Sequence, residues 1–251
     1  MKSVVEQIRG RTERFRARPL FDVMDRKGRP GEVRSLVSSL TFFVFAFQDV
    51  LRMNEARVVD ARLRQIAKVH RREDAGHDIW FLNDMEKLNA ERDLRWVFGP
   101  EHQVVRECSF EVVAEALRAE DDATRISLLL ALESAGDVFF GKAFPFCEDV
   151  GIDLSLEYFS RPHWEVEVDH DVFGQPQQDL LEGIVLSALE RDRCVAMVER
   201  VFAALTRMVD HFHDAILAAA DVRASGHFTI GSAAAMSRPV RQARGGGNQT
   251  T

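Results

Sequence analysis

The chain has 251 residues, 46% of them hydrophobic and 29% charged, with a net charge of −7. That is long enough to bury a sizeable core as one large domain, and the acidic balance excludes nonspecific nucleic-acid binding, which needs a basic face. The charged start "MKSVVEQIRGRTERF" has no apolar signal core, the uncharged run Ser35–Gln48 is too short to span a bilayer, and the three cysteines are scattered without a CxxC; a cytoplasmic protein with buried thiols and no membrane partner is expected, whose metal chemistry would rest on His and carboxylates.

Periodicity predicts helix nearly everywhere and no convincing strand. Residues 2–17 read as the first helix. "DRKGRPGE" is a turn or loop, with Gly28, Pro30 and Gly31 as breakers. A helix from Glu32 to Glu55 carries "LTFFVFAF", apolar on most of its circumference and therefore central. Asp60 is placed to cap a single helix from Ala61 to Leu88, which also carries Ile79, Trp80 and Leu82 for burial. "VFGPEH" marks a boundary. Helices follow over Val104–Ala119 and Ala123–Val150, the second kinked or broken at Pro145. "VGIDLSLEYFSRP" is a connector, "RPHWEVEVDHD" comes next, and a final helix runs from Gln178 to Ala220. The whole predicts an all-α single domain over residues 1–237, a bundle of about seven or eight helices. Residues 238–251, Gly-rich and polar, form a disordered tail.

Two segments carry an unusual set of side chains. At roughly 100° per residue, positions i, i+3, i+4 and i+7 share a helix face. In "HRREDAGH" these are His70, Glu73, Asp74 and His77. In "HWEVEVDH", His163, Glu167 and His170 fall on one face in the same way. Imidazole nitrogen and carboxylate oxygen together suit iron, and manganese accepts the same set. Glu133, inside the apolar run "LLLALESAGDVFF", is the third candidate, because a buried carboxylate needs a partner. Asp137, one turn later, is the second choice. The bland alternatives stay open: a solvated face of ion pairs around Arg71 and Arg72, a core pairing of Glu133 with a Lys or Arg, and a strand at "HWEVEVDHD", in which His170 would point away from His163 and Glu167. His211 and His213 fall on different sides of a helix and read as surface or capping residues.

With these residues in view, the chain resembles the haem-oxygenase-like di-iron oxidases and oxygenases, a helical group sharing its scaffold with thiaminase-type and pyrroloquinoline-quinone synthase proteins. The likeness covers about residues 32–220 and includes "FQDVLRMNEARVVDARLRQIAKVHRREDAGHDIWFLNDMEKL". It implies a first helix giving His77 and a carboxylate, a middle Glu133, and a third helix giving His163, Glu167 and His170. His70 stands where the family often has its first carboxylate, so either His70 is a ligand or Glu73 or Asp74 takes that role. The resemblance further implies iron, two ions or one, no haem, and oxygen-dependent oxidation of a small organic molecule such as an amino acid or fatty acid derivative. Phe43, Phe47, Asp137 and Phe140 are then expected in the substrate pocket, with Phe42, Phe45, Phe139 and Phe144 as further candidates, and a homodimer is expected. Two other functions fit parts of the pattern. One is a metal-free metabolite-binding or cofactor-biosynthesis protein on the same scaffold. The other is a ferritin-like iron-oxidising bundle completed by Asp49 or Glu55, since "DAGH" and "EVDH" both read carboxylate-x-x-His.

Overall fold

The structure is a computed structural model and describes residues 1–151, 155–169, 180–181 and 183–224. Ten α-helices lie within these residues: α1 (Lys2–Arg16), α2 (Pro19–Val23), α3 (Pro30–Arg57), α4 (Ala61–Glu73), α5 (His77–Lys87), α6 (Leu94–Val97), α7 (Gln103–Arg118), α8 (Asp122–Gly151), α9 (Arg161–Asp169) and α10 (Ala188–Ala224). No strand occurs among the described residues, so the helical reading of "RPHWEVEVD" holds over α9. The expected tail and the stretch around His170 lie outside the described residues.

Helix α3 is the axis of the bundle. It starts where Pro30 supplies a fixed φ and no surplus N–H. The backbone N–H of Arg29 donates to Glu32 at 2.8 Å, and Arg26 donates to the same buried carboxylate at 2.8 Å. These bonds hold Glu32 down at about 2, with Arg26 the first cause. By length and composition α3 is apolar enough to cross a membrane. Its neighbours α4, α5, α7, α8 and α10 instead take up that surface as core. Leu36, Val37, Leu51 and, from facing helices, Phe81, Phe146 and Phe212 are fully buried, each worth about 1.5–3 kcal/mol of burial.

Helix α8 runs 30 residues with Pro145 inside it, so of the kink or break expected there the break does not occur. Gly141 sets how closely α9 approaches α8: a Cβ there would stand 3.2 Å from the Trp164 ring. Two expected helices differ from the observed ones. The Ala61–Leu88 helix is interrupted at Gly76, whose φ of +96° lies in the left-handed region that a side chain disfavours. The last helix begins ten residues later than expected, at Ala188 rather than Gln178. There Ser187 and Glu190 form a reciprocal cap: the Ser187 N–H donates to the Glu190 carboxylate at 2.8 Å, and the Glu190 N–H donates to Ser187 Oγ at 3.2 Å. Asp60 caps α4 as expected, accepting from Arg62 and Leu63 at 2.9 and 3.2 Å. The burial expected of Ile79, Trp80 and Leu82 is not found. They are exposed, and Phe81 alone of that run is core.

Candidate functional site

Four helices bring five of the expected residues together in the interior. Helix α4 ends on His70 and its C-cap Asp74, α5 opens on His77, the middle of α8 supplies Glu133, and the first turn of α9 supplies His163. All five are buried. The Gly76 break decides which acid joins them. With the helix interrupted, His70 and His77 no longer share one continuous face, and Asp74 sits between them. Its carboxylate reaches back to His70 Nε2 at 3.0 Å and forward to His77 Nδ1 at 3.2 Å. The Gln48 amide fixes this corner by donating to the Asp74 carbonyl at 2.9 Å. Glu73 is half-buried, with no ion pair or hydrogen bond into the cluster among the described residues, so Asp74 stands in the place where either acid was expected.

Glu133 Oε2 lies 2.8 Å from His70 Nε2. No Lys or Arg pairs with Glu133 among the described residues, which leaves the core ion pair with a Lys or Arg without support. Neither Asp74 nor Glu133 is aligned with a ring N–H of His70. Both His70 ring nitrogens and Glu133 Oε1 are buried without a hydrogen bond, a costly condition for polar atoms. Burial works against a charge on His70, but the Glu133 and Asp74 carboxylates outweigh it and push the imidazole well above its ordinary range. Burial likewise opposes the charge on Asp74, and its contacts with His70 and His77 prevail, holding the carboxyl far below its usual range.

The other two histidines are oriented by their neighbours. His77 stacks on Trp80, with centroids 4.8 Å apart, and meets the edge of His163 at 4.3 Å. His163 Nδ1 faces the Tyr158 carbonyl at 2.5 Å. A carbonyl only accepts, so Nδ1 carries the proton and the neutral ring's lone pair is on Nε2. That carbonyl is held in turn by Asp84, which accepts the N–H groups of Glu157 at 2.7 Å and Phe159 at 2.9 Å. Sequence reasoning missed Asp84, although it stands seven residues after His77.

Nitrogen and carboxylate oxygen donors without a fixed cation suit iron or manganese. Among the described residues, however, no group of three or more His, Cys, Asp and Glu side chains is arranged to hold a metal ion. The side chains meet pairwise, with His70 drawn onto both carboxylates. Glu167 lies on α9 but its side chain, like His170, falls outside the described residues.

An apolar cavity of about 90 Å³ adjoins the cluster. Asp74, His77, Gln48 and Tyr158 contribute to its wall, and Phe43, Phe47, Phe139, Phe140 and Phe212 supply aromatic surface. The expected Phe43, Phe47 and Phe140 are therefore cavity residues. Asp137 is exposed and is not among the lining residues; one turn beyond Glu133, it faces away from the cavity. Phe42 and Phe45 line a separate outer groove, and Phe144 packs under Arg161. The ferritin-like completion also fails: Glu55 pairs with Arg71, and Asp49 is exposed beside Arg52.

No family model and no curated protein matches the chain. A solved structure does: the crystal structure of a domain of unknown function with a haem oxygenase-like fold from Shewanella denitrificans OS217, at 14% identity and a TM-score of 0.52, covering 90% of this chain and 94% of that one. At this identity the likeness speaks to architecture alone, and with the helix order above it gives the chain a haem-oxygenase-like fold.

Proposed function

We propose that the protein is a non-haem iron oxidase or oxygenase that uses dioxygen to oxidise a small organic molecule held in the cavity. The observation that carries this reading is the convergence of two carboxylates on His70 Nε2, at 2.8 and 3.0 Å, with His70 Nδ1 and Glu133 Oε1 buried without a hydrogen bond. His70, Asp74, His77, Glu133 and His163 would hold the metal, with Glu167 and His170 as further candidates. When bound, iron supplies the redox chemistry that activates dioxygen. The chain's own work is positioning. Asp74 spans the two histidines, the Tyr158 carbonyl sets the tautomer of His163, and the phenylalanine wall keeps bulk water from the reacting face.

A metal-free binding protein is the second reading. It is favoured by the pairwise closure of the cluster, in which His70 as an imidazolium already answers both acids. Anaerobic titration of the purified full-length chain with ferrous iron separates the two. The oxidase reading expects binding at micromolar iron that is weakened at least tenfold in His77→Ala and in Glu133→Ala, with substrate-stimulated oxygen uptake by the loaded protein. Absence of micromolar binding of iron or manganese by a folded chain leaves the binding protein.

A further inference from the structure

The cavity beside the cluster has a charge pattern that selects its ligand. Among the described residues its wall contains no Lys and no Arg. The polar groups on the wall are the Asp74 carboxylate, the His77 imidazole, the Gln48 amide and Tyr158, and the rest is aliphatic or aromatic. In the metal-free chain a ligand carboxylate drawn inside would leave water, find no Lys or Arg among the described wall residues and face an acid. An ammonium group would also be desolvated, and Asp74 is already engaged by His70 and His77.

Gly136 is an independent sign that this space is kept for a ligand. It sits in the interior of α8, where glycine is less favourable than alanine, and it lines the cavity. No close packing demands it, since a Cβ built there meets nothing within 4 Å. Gly141, five residues on, differs because its missing side chain is occupied by Trp164. The absent side chain at 136 leaves open volume instead.

We infer that the cavity binds a neutral, apolar molecule, an aliphatic or aromatic body with at most one uncharged polar end such as a hydroxyl, and that Gly136 keeps the space for it. This departs from the amino acid or fatty acid expected from family likeness. It rests on the reading above only in calling the ligand a substrate. At about 90 Å³ the space is smaller than the ~150 Å³ apolar cavity that admits benzene. A five-carbon chain therefore requires Phe43 or Phe47 to turn.

The test is an NMR titration of the full-length chain as purified with pentan-1-ol, pentanoate and pentylamine. The alcohol is expected to bind at least tenfold more tightly than either charged analogue. Gly136→Leu is expected to weaken the alcohol at least tenfold, and Gly136→Ala to give a smaller loss with the fold intact. Equal or tighter binding of pentanoate or pentylamine overturns the inference, as does alcohol binding that Gly136→Leu and Gly136→Ala leave untouched, or no alcohol binding at all. The outcomes separate from those for iron: alcohol selectivity without metal binding keeps this inference and removes the oxidase, and metal binding without alcohol selectivity does the reverse.

Discussion

His102 shows how much a single side chain's surroundings decide. Its ring is 5% exposed, lies 3.6 Å from the Trp96 ring centroid, and has neither nitrogen hydrogen-bonded. Burial pushes it down to about 4, and His211 nearby adds to the shift. The folded chain therefore holds the ring neutral at pH values where the unfolded chain takes up a proton. Stability from this residue is complete above about 6.5, declines as pH falls and levels off near 4. Urea unfolding at pH 7 and pH 5 should show a loss that His102→Gln reduces by about 1–2 kcal/mol; equal losses in the two proteins would contradict this. His211 reads from sequence as a surface or capping residue, but its Nε2 is buried without a bond. Spacing alone places a histidine on a helix side. It does not reveal which neighbours close over that side, and Trp96 comes from a different element.

At the scale of elements, the α4–α5 break is the feature on which the site turns. Gly76→Ala places a side chain at φ +96° and should cost about 1–2 kcal/mol in unfolding free energy. If the break sets the Asp74–His77 contact, ferrous affinity should fall as well, at temperatures where the variant remains folded; unchanged affinity would show that the cluster tolerates a different turn. Asp84→Ala removes the acceptor for two loop N–H groups. Faster amide exchange at Glu157 and Phe159 is expected, together with weaker iron binding through displaced Tyr158 and His163. The long helices α3, α8 and α10 were legible because their apolar periodicity extends over many turns. The break was less so. Gly76 is visible in the sequence, but i+3, i+4 and i+7 spacing defines one face only along an unbroken helix, so across the break it does not tell Glu73 from Asp74. The start of α10 was also written in "SALE", a Ser and Glu three apart, and apolar periodicity upstream obscured it. Exposure of Ile79 and Trp80 had no local signal, since it depends on what α9 and the loop before it leave uncovered.

Across the whole molecule, residues as distant in sequence as His77 and His163 meet because α3 gathers its neighbours and Gly141 admits Trp164 of α9 against α8. The candidate ligands His70, His77, Glu133 and His163 were legible from residue type and spacing, and Asp74 only as one of two acids. The cavity was legible only as a set of phenylalanines, because sequence cannot separate those that pack from those that line a space. A buried cluster able to take up a metal ion is the central requirement of the proposed function. Anomalous scattering at the iron edge, from crystals grown anaerobically with ferrous iron, tests it most directly. The expected result is a peak within coordination distance of Asp74, His77, Glu133 and His163, with His70 turned from the two carboxylates onto the ion. No peak there, with His70 still between Asp74 and Glu133, would contradict it.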